Sequence, residues 1–422
     1  MVYRRRVIDD ILDEALPELA AIALEGAKGV GKTATASRRA ATVLSLSDPR
    51  HRASLAANYD LVAELDQPVF IDEWQLEPQV WDRVRQAVDD GSAGGSFLLA
   101  GSAGAPSGAR IHSGAGRIVS LALRPMALSE RGVAQPTVSL RALSMGNATI
   151  RGTTGLGLKD YVDEILRSGF PGLRDLRPPN RDRQLDGYLS RIVERDLPEN
   201  GVSLRRPATL RAWLRAYAAA TATTTDYTKI LDAATAGQAD KPSRNTVDGY
   251  REHLLRLYLL DPVEAWTPAF APLKRLTFSP KHHLVDPALA ARLIGVGAPG
   301  LLMGEGGTAS PTTGTWLGAL FESLATQSVR VYAAAMNARV GHLRTKQGDH
   351  EVDLIVELDD TRCVAFEVKL ADTIQEADLR HLRWLSQQLG DRLVDSVLLH
   401  TGPRAYRRPD GVAVVPLALL GP

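Results

Sequence analysis

Two groups of residues in this 422-residue sequence have the types and spacing for chemistry. The first opens at Gly26-Ala27-Lys28-Gly29-Val30-Gly31-Lys32-Thr33, which fits G-x-x-x-x-G-K-[ST] without exception. Its glycines let the backbone turn so that successive N–H groups point inward at phosphate oxygens, and the helix expected after it adds positive potential. In that arrangement Lys32 reaches the β and γ phosphates of ATP, and the Thr33 hydroxyl holds Mg²⁺. Pro68-Val69-Phe70-Ile71-Asp72-Glu73 reads as an apolar strand ending in two acids. Asp72 is placed to hold Mg²⁺ through water, and Glu73 to orient and deprotonate an attacking water; the plain alternative is a solvated acidic strand end. Phe97-Leu98-Leu99-Ala100-Gly101-Ser102 is a further strand, whose Ser102 is either a sensor of the γ-phosphate or a simple strand-to-loop turn. Arg117, after Gly114-Ala115-Gly116, is either an arginine finger acting in trans on a second copy or a surface arginine.

The second group lies near the end. Gly348-Asp349-His350-Glu351-Val352-Asp353 enters a strand, Asp359-Asp360-Thr361 turns, and Cys363 to Lys369 returns. A hairpin centred on Asp360 sets Asp353 opposite Glu367, and the two-residue period puts Lys369 on the face of Glu367. Opposed carboxylates repel. A divalent metal would remove the repulsion, with Lys369 holding the attacking water or the transition-state charge and Glu322, on the preceding helix, as a further ligand. The competing reading is a structural cluster in which Lys369 pairs with the two acids.

Positioning these residues needs a scaffold, and the apolar pattern supplies one. Leu19 to Leu24, Leu44 to Leu46, Val69 to Ile71, Phe97 to Ala100 and Ile118 to Leu123 read as strands; Lys32 to Val43, Arg52 to Leu65 and Pro78 to Val88 read as helices. Such alternation implies a parallel sheet covered on both faces. Pro125 to Gly157 reads as a polar connection, and a helical middle runs from Leu158 to about Leu293. Within it, Pro207 to Ala219, Tyr227 to Ala234 and a helix from Arg244 to about Leu260, capped by Ser243, precede a small wing formed by Leu276-Thr277-Phe278 and His283-Leu284-Val285. This resembles a winged helix-turn-helix, in which Arg244, Asn245, Thr246 and Arg251 face a DNA groove or, equally, a protein contact. Arg167 to Arg215 carries 11 Arg against 6 Asp or Glu, a net of +5. His282 and His283 follow Lys281 without a second ligand pair at metal spacing and read as structural. Residues 296–314 read as a linker. A helix from Trp316 to Gln327, the hairpin, a helix from Ile374 to Leu389, and strands Ser396 to His400 and Val412 to Val415 complete the chain.

Composition narrows the class. With 44% hydrophobic and 23% charged residues, the chain is not a disordered, collagen-like or disulfide-scaffold protein. The single cysteine, Cys363, excludes an intramolecular disulfide and a Cys-ligated zinc cluster, and reads as a small buried hydrophobe. A net charge of +1 leaves any partner to local patches. The basic residues are 41 Arg and only 9 Lys, so a lysine inside a motif is less readily an accident. There is no uncharged apolar stretch of about 20 residues and no signal-peptide core in Met1 to Glu18, so a cytoplasmic protein without membrane association is expected.

The whole set resembles the prokaryotic AAA-type ATPases that carry a C-terminal domain of unknown function related to restriction-endonuclease folds. The resemblance rests on Gly26 to Thr33, Ile71-Asp72-Glu73-Trp74-Gln75 followed by Pro78, Leu99-Ala100-Gly101-Ser102, Ala115-Gly116-Arg117, Gly169-Phe170-Pro171, and Gly348 to Asp353 with Glu367-Val368-Lys369. These occur in order over nearly the whole chain. Ala100 departs from the pattern, standing where relatives usually have threonine. The resemblance implies an α/β protein in three parts: a P-loop AAA-type ATPase with a parallel sheet (1–135), a helical and winged-helix-like middle (155–295), and a restriction-endonuclease-like α/β end of the PD-(D/E)xK kind (312–422). The expected function is Mg²⁺-dependent ATP binding and hydrolysis coupled to DNA or a protein partner, in a chain that associates with copies of itself. Two alternatives stand beside it: an ATP-regulated, metal-dependent DNA nuclease, and a nucleotide-dependent interaction module with little turnover.

Overall fold

The computed structural model describes residues 3–102, 114–199, 207–237, 242–268, 276, 279–303, 315–346 and 348–422. Five strands, β1 (Ala21–Glu25), β2 (Thr42–Ser45), β3 (Val69–Asp72), β4 (Phe97–Gly101) and β5 (Ile118–Ala122), pair in parallel in the order β2-β3-β4-β1-β5. Both faces of β1 are apolar because both are covered. Ile22 and Leu24 enter a core that continues into the rest of the molecule, while Ala21 and Ala23 join Val69, Ile71, Phe97 and Leu99 on the other face. The helix expected from Lys32 to Val43 stops at Ala36, because Thr42–Ser45 pairs with β3, Thr42 opposite Val69. Thr42 and Val43 are β-branched and suit that strand. Arg52 to Leu65 is two helices, Pro49–Ala57 and Leu61–Glu64; the first is capped by the Asp48 carboxylate, which accepts from the Arg50 N–H at 2.8 Å.

The stretch Pro125 to Gly157 is built into the fold rather than serving as a polar connection. Val138–Ser139 (β6) pairs with Leu420–Gly421, and Arg151–Thr153 (β7) pairs with Arg404–Arg407. Leu128, Leu140 and Leu143 are buried, and the buried Arg131 guanidinium donates to the Met126 and Glu164 carbonyls and to Gln327 Oε1.

The middle is helical: Leu158–Arg167, Pro178–Arg191, Pro207–Ala219, Tyr227–Ala234 and Arg244–Arg256, with a π-helical turn at Ile192–Asp196. Ser243 Oγ accepts from the Thr246 N–H at 3.2 Å and caps the last of these helices, which ends at Arg256 rather than near Leu260. The expected wing pairs differently. Leu284 and Lys281 bridge antiparallel to Leu260 and Val263, the extended chain that the early helix end leaves free. Leu276 instead bridges to Thr345, and Thr277 and Phe278 lie outside the described residues.

The last part contains β8 (Arg339–Arg344), β9 (Glu351–Glu357), β10 (Cys363–Val368), β11 (Leu393–His400), β12 (Arg404–Arg407), β13 (Ala413–Pro416) and β14 (Leu420–Gly421). Seven strands form one mixed sheet, β7-β12-β13-β11-β10-β9-β8. The helix expected from Trp316 to Gln327 extends to Ala334, since Val329, Tyr332 and Ala333 continue its buried face. The helix expected from Ile374 begins at Arg380, after a short 3-10 turn at Glu376–Leu379. One core cluster runs through all three parts, from Ile22 through Trp213 and Phe321 to Val397. Among the described residues, no helix is long and apolar enough to cross a membrane.

Candidate functional site

The phosphate loop leaves β1 at Gly26, where φ is +155° and an added Cβ would lie 2.2 Å from the Leu123 carbonyl oxygen. Only glycine fits that approach. Gly31, with φ +110°, turns the chain into the short helix that begins at Lys32. The Lys32 ammonium is buried and donates to the Gly26 and Ala27 carbonyls at 2.6 and 3.0 Å. Burial pushes its pKa down to about 8, with Glu73 and Asp72 opposing. The Thr33 hydroxyl donates to the Asp72 carboxylate at 2.9 Å. Burial pushes Asp72 above the usual carboxylate range, with the Thr33 hydrogen bond opposing. Val30 packs in the core and its carbonyl accepts from Arg6 at 3.2 Å. Lys28 reaches across to Asp196 in the π-helical turn at 2.7 Å. An added Cβ on Gly29 would lie 3.8 Å from Phe170, and one on Gly31 3.9 Å from Pro171, so Gly169-Phe170-Pro171 roofs the loop.

Glu73 follows β3 with φ +55°, and Ser102 follows β4. Parallel pairing of β3 and β4 brings the two together: Ser102 Oγ donates to Glu73 Oε2 at 2.8 Å, and the Gln75 amide donates to the same oxygen. Arg117 stands just before β5, whose first residue lies opposite Ala21. It is therefore at the N-terminal end of the strands, whereas its own phosphate loop is at the C-terminal end. There it pairs with Asp89 at 2.7 Å and is half exposed.

In the C-terminal hairpin, Cys363 is buried and faces Glu357, and Phe366 faces Leu354. This register is centred on Asp360 and carries Asp353 to the place opposite Glu367. Asp353 Oδ2 accepts from the Val368 N–H at 2.9 Å, and Lys369 donates to Glu367 Oε1 at 2.7 Å. Glu322 joins from its helix, but through another residue. The Lys281 ammonium lies 2.8 Å from Glu322, 2.9 Å from Asp353 and 3.0 Å from Glu351. These three carboxylates raise the Lys281 pKa well above its ordinary value against the effect of burial. Burial pushes Glu322 and Glu367 up to about 8. Asp353 is held down by Lys281 and Lys369, which outweigh its burial. The residues present do not fit a resident divalent metal, because an ammonium stands among the carboxylates that would bind it. Among the described residues, no group of three or more His, Cys, Asp or Glu could hold a metal ion.

Of the nine described arginines in the Arg-rich stretch, seven are exposed and one, Arg174, is buried. Arg174 is buried against Glu164, Arg167 donates to the Arg174 carbonyl, and Arg211 pairs with Glu194. Arg251 lies over the Tyr227 ring at 4.5 Å, and Thr246 is exposed beside its cap. Arg244 and Asn245 open the helix. His282 sits between Tyr217 and Tyr227, and its Nε2 contacts the Thr225 carbonyl at 2.6 Å.

Two features escaped the sequence reading. Lys281 carried no motif and was passed over beside the histidines. The amino-terminal segment was read only for a leader, yet Tyr3 and Arg6 line a cavity of about 170 Å³ with Ala34, Thr35, Met126 and Pro171, beside the phosphate loop. The only signal in the sequence is the run Arg4-Arg5-Arg6.

Three family models match parts of the chain. Residues 19–131 match the family described as AAA domain; residues 158–300 and 317–420 match two domains of unknown function, DUF8612 and DUF4143. An uncharacterized protein of Mycobacterium tuberculosis and one of Mycobacterium bovis are each 26% identical over 437 residues, covering 99% of this chain and 84% of theirs. Among solved structures, a Walker-type ATPase of Pyrococcus abyssi is 15% identical with a TM-score of 0.39, covering 69% of this chain and 96% of its own. The ORC2 protein of Aeropyrum pernix, in ADPNP–ADP complexes, is 15% identical with a TM-score of 0.26, covering 70% and 92%. The amino-terminal part of this chain thus matches the family described as AAA domain, and it is followed by matches to two families of unknown function.

Proposed function

We propose that the chain binds ATP with Mg²⁺ at Gly26–Thr33 and hydrolyses it, coupling turnover to a macromolecular partner. The observation that carries this reading is the meeting of Lys32, Thr33, Asp72, Glu73 and Ser102 at the C-terminal ends of β1, β3 and β4. The cavity at Tyr3 and Arg6 is the space for the nucleoside. Lys32 exchanges two carbonyl acceptors for phosphate oxygens, and the Thr33 hydroxyl and Asp72 are the groups that would hold Mg²⁺. When bound, Mg²⁺ supplies charge neutralisation across the β and γ phosphates. Glu73 takes the proton of the attacking water; Ser102 and Gln75, both donating to it, fix its position. Ser102 therefore acts as an anchor for the base rather than as a phosphate sensor. Arg117 serves a neighbouring copy, since it faces away from its own site.

The test is ATP binding and turnover, with and without duplex DNA, over a range of protein concentrations. Lys32→Ala loses nucleotide affinity, and Glu73→Gln retains nucleotide while turnover falls about 10²–10⁴-fold. Arg117→Ala loses about 10³-fold, and wild-type specific activity rises with concentration. Equal ATP affinity in wild type and Lys32→Ala defeats the reading.

A further inference from the structure

The carboxylates of the C-terminal hairpin receive their cation from a different part of the chain. Lys281 lies within the segment 158–300, whereas Glu322, Glu351 and Asp353 lie within 317–420. The ammonium is placed by backbone, not by a flexible tether. Lys281 exchanges hydrogen bonds with Val263 in both directions, at 2.8 and 2.9 Å, and His282 does the same with Ala222 and Thr223 at 2.8 Å. The side chain has no exposed surface, and its three acceptors come from a helix and from β9.

Charge counting shows how much depends on it. Glu322, Glu351, Asp353 and Glu367 face Lys281, Lys369 and Arg344, which pairs with Glu351 at 3.2 Å. Four acids against three bases leave one excess negative charge, and a single proton shared within the cluster balances it. Glu367 Oε2 is buried without a hydrogen-bond partner, a place for that proton. Without Lys281 the count is four against two, with Asp353 and Glu367 buried. A second cation is then required, since buried carboxylates are not left uncompensated.

We propose that Lys281 is the resident cation of the C-terminal carboxylate cluster, occupying the seat a divalent metal would need, so that the domain takes no metal while the segment 279–285 is docked. Removing the ammonium leaves Glu322, Glu351 and Asp353, the three carboxylates within 3.0 Å of it, open to a divalent cation. Oxygen ligands of this kind suit Mg²⁺ or Mn²⁺.

The experiment measures Mn²⁺ binding to the full chain without nucleotide, by the loss of the free Mn²⁺ electron paramagnetic resonance signal, with thermal melting in parallel. Any ion bound at Thr33 and Asp72 is common to all variants, so the readout is the difference made by Asp353→Asn. Wild type and Asp353→Asn should bind the same amount. Lys281→Met should bind one equivalent more than Lys281→Met combined with Asp353→Asn. Because Lys281→Met removes the cation from three carboxylates, Lys281→Met/Glu351→Gln, which removes one of them, is measured beside it. A Mn²⁺-induced rise in melting temperature larger in either variant than in wild type supports the proposal. Mn²⁺ binding or plasmid nicking by wild type that disappears in Asp353→Asn overturns it. So does the absence of any Mn²⁺ response in both Lys281→Met and Lys281→Met/Glu351→Gln.

Discussion

Lys32 and Lys281 are both buried, and they meet opposite kinds of acceptor. Lys32 rests on two backbone carbonyls, neutral dipoles that only partly replace water, and its pKa is pushed down to about 8. Lys281 is surrounded by three carboxylates and is held charged. A buried lysine on neutral acceptors is under-compensated and open to an incoming anion. A buried lysine on three anions is saturated and does structural work. Burial alone therefore does not distinguish a binding lysine from a structural one; the formal charge of its partners does.

The largest expected effect follows from that contrast. Lys281→Met leaves buried charge unpaired and should cost about 3–5 kcal/mol of stability. Lys32→Met should change apo stability by less than about 1 kcal/mol, because it removes a desolvated charge that has no anionic partner in contact. Chemical denaturation of both variants measures this, and equal losses would erase the distinction.

A smaller effect concerns pH. Glu322 and Glu367 titrate near about 8 in the folded chain, above their ordinary range, so the folded state keeps protons that the unfolded chain has released. The stabilisation is full below the unfolded carboxylate pKa and is lost as pH rises through about 8. The melting temperature should therefore fall between pH 5 and pH 9. Glu322→Gln should flatten the profile of melting temperature against pH; an unchanged slope would place the proton elsewhere.

The smallest concerns Lys32. Above pH about 8 the free protein loses the proton that a bound phosphate requires, so ATP affinity should fall by up to about tenfold per pH unit. Titration calorimetry at pH 7 and pH 9, in buffers of different ionisation enthalpy, detects the proton uptake. Affinity that is flat across this range would mean Lys32 is charged throughout.

These two sites differed in how far they could be read from sequence, for a physical reason. Gly26 to Thr33 is a local device: eight consecutive residues determine a turn, and the apolar runs at Ile22, Val69 and Phe97 announce strands covered on both sides. The Asp353 to Glu367 register is nearly as local, since a short turn at Asp360 sets it. Lys281 is 41 residues from Glu322 and 72 from Asp353, with no periodic pattern linking them. Only the docking of one part of the chain on another creates that contact. The same holds for Thr42–Ser45, where pairing with β3 outweighs continuation of the helix, and for Pro125 to Gly157, whose short strands find partners at the far end of the chain.

The continuity of the core bears on how this protein can be dissected. Tyr161 meets Phe321 edge-on at 5.2 Å and its hydroxyl accepts from the Ala418 N–H, while the Ser129 N–H donates to Tyr332. A cut between the three parts would pass through these contacts and turn an interior surface into an exterior one. Fragments expressed singly should aggregate or bind chaperones, and inactivity in such a fragment would report exposed apolar surface rather than a missing catalytic group. Point substitutions in the intact chain, not truncations, are the instrument suited to assigning its parts.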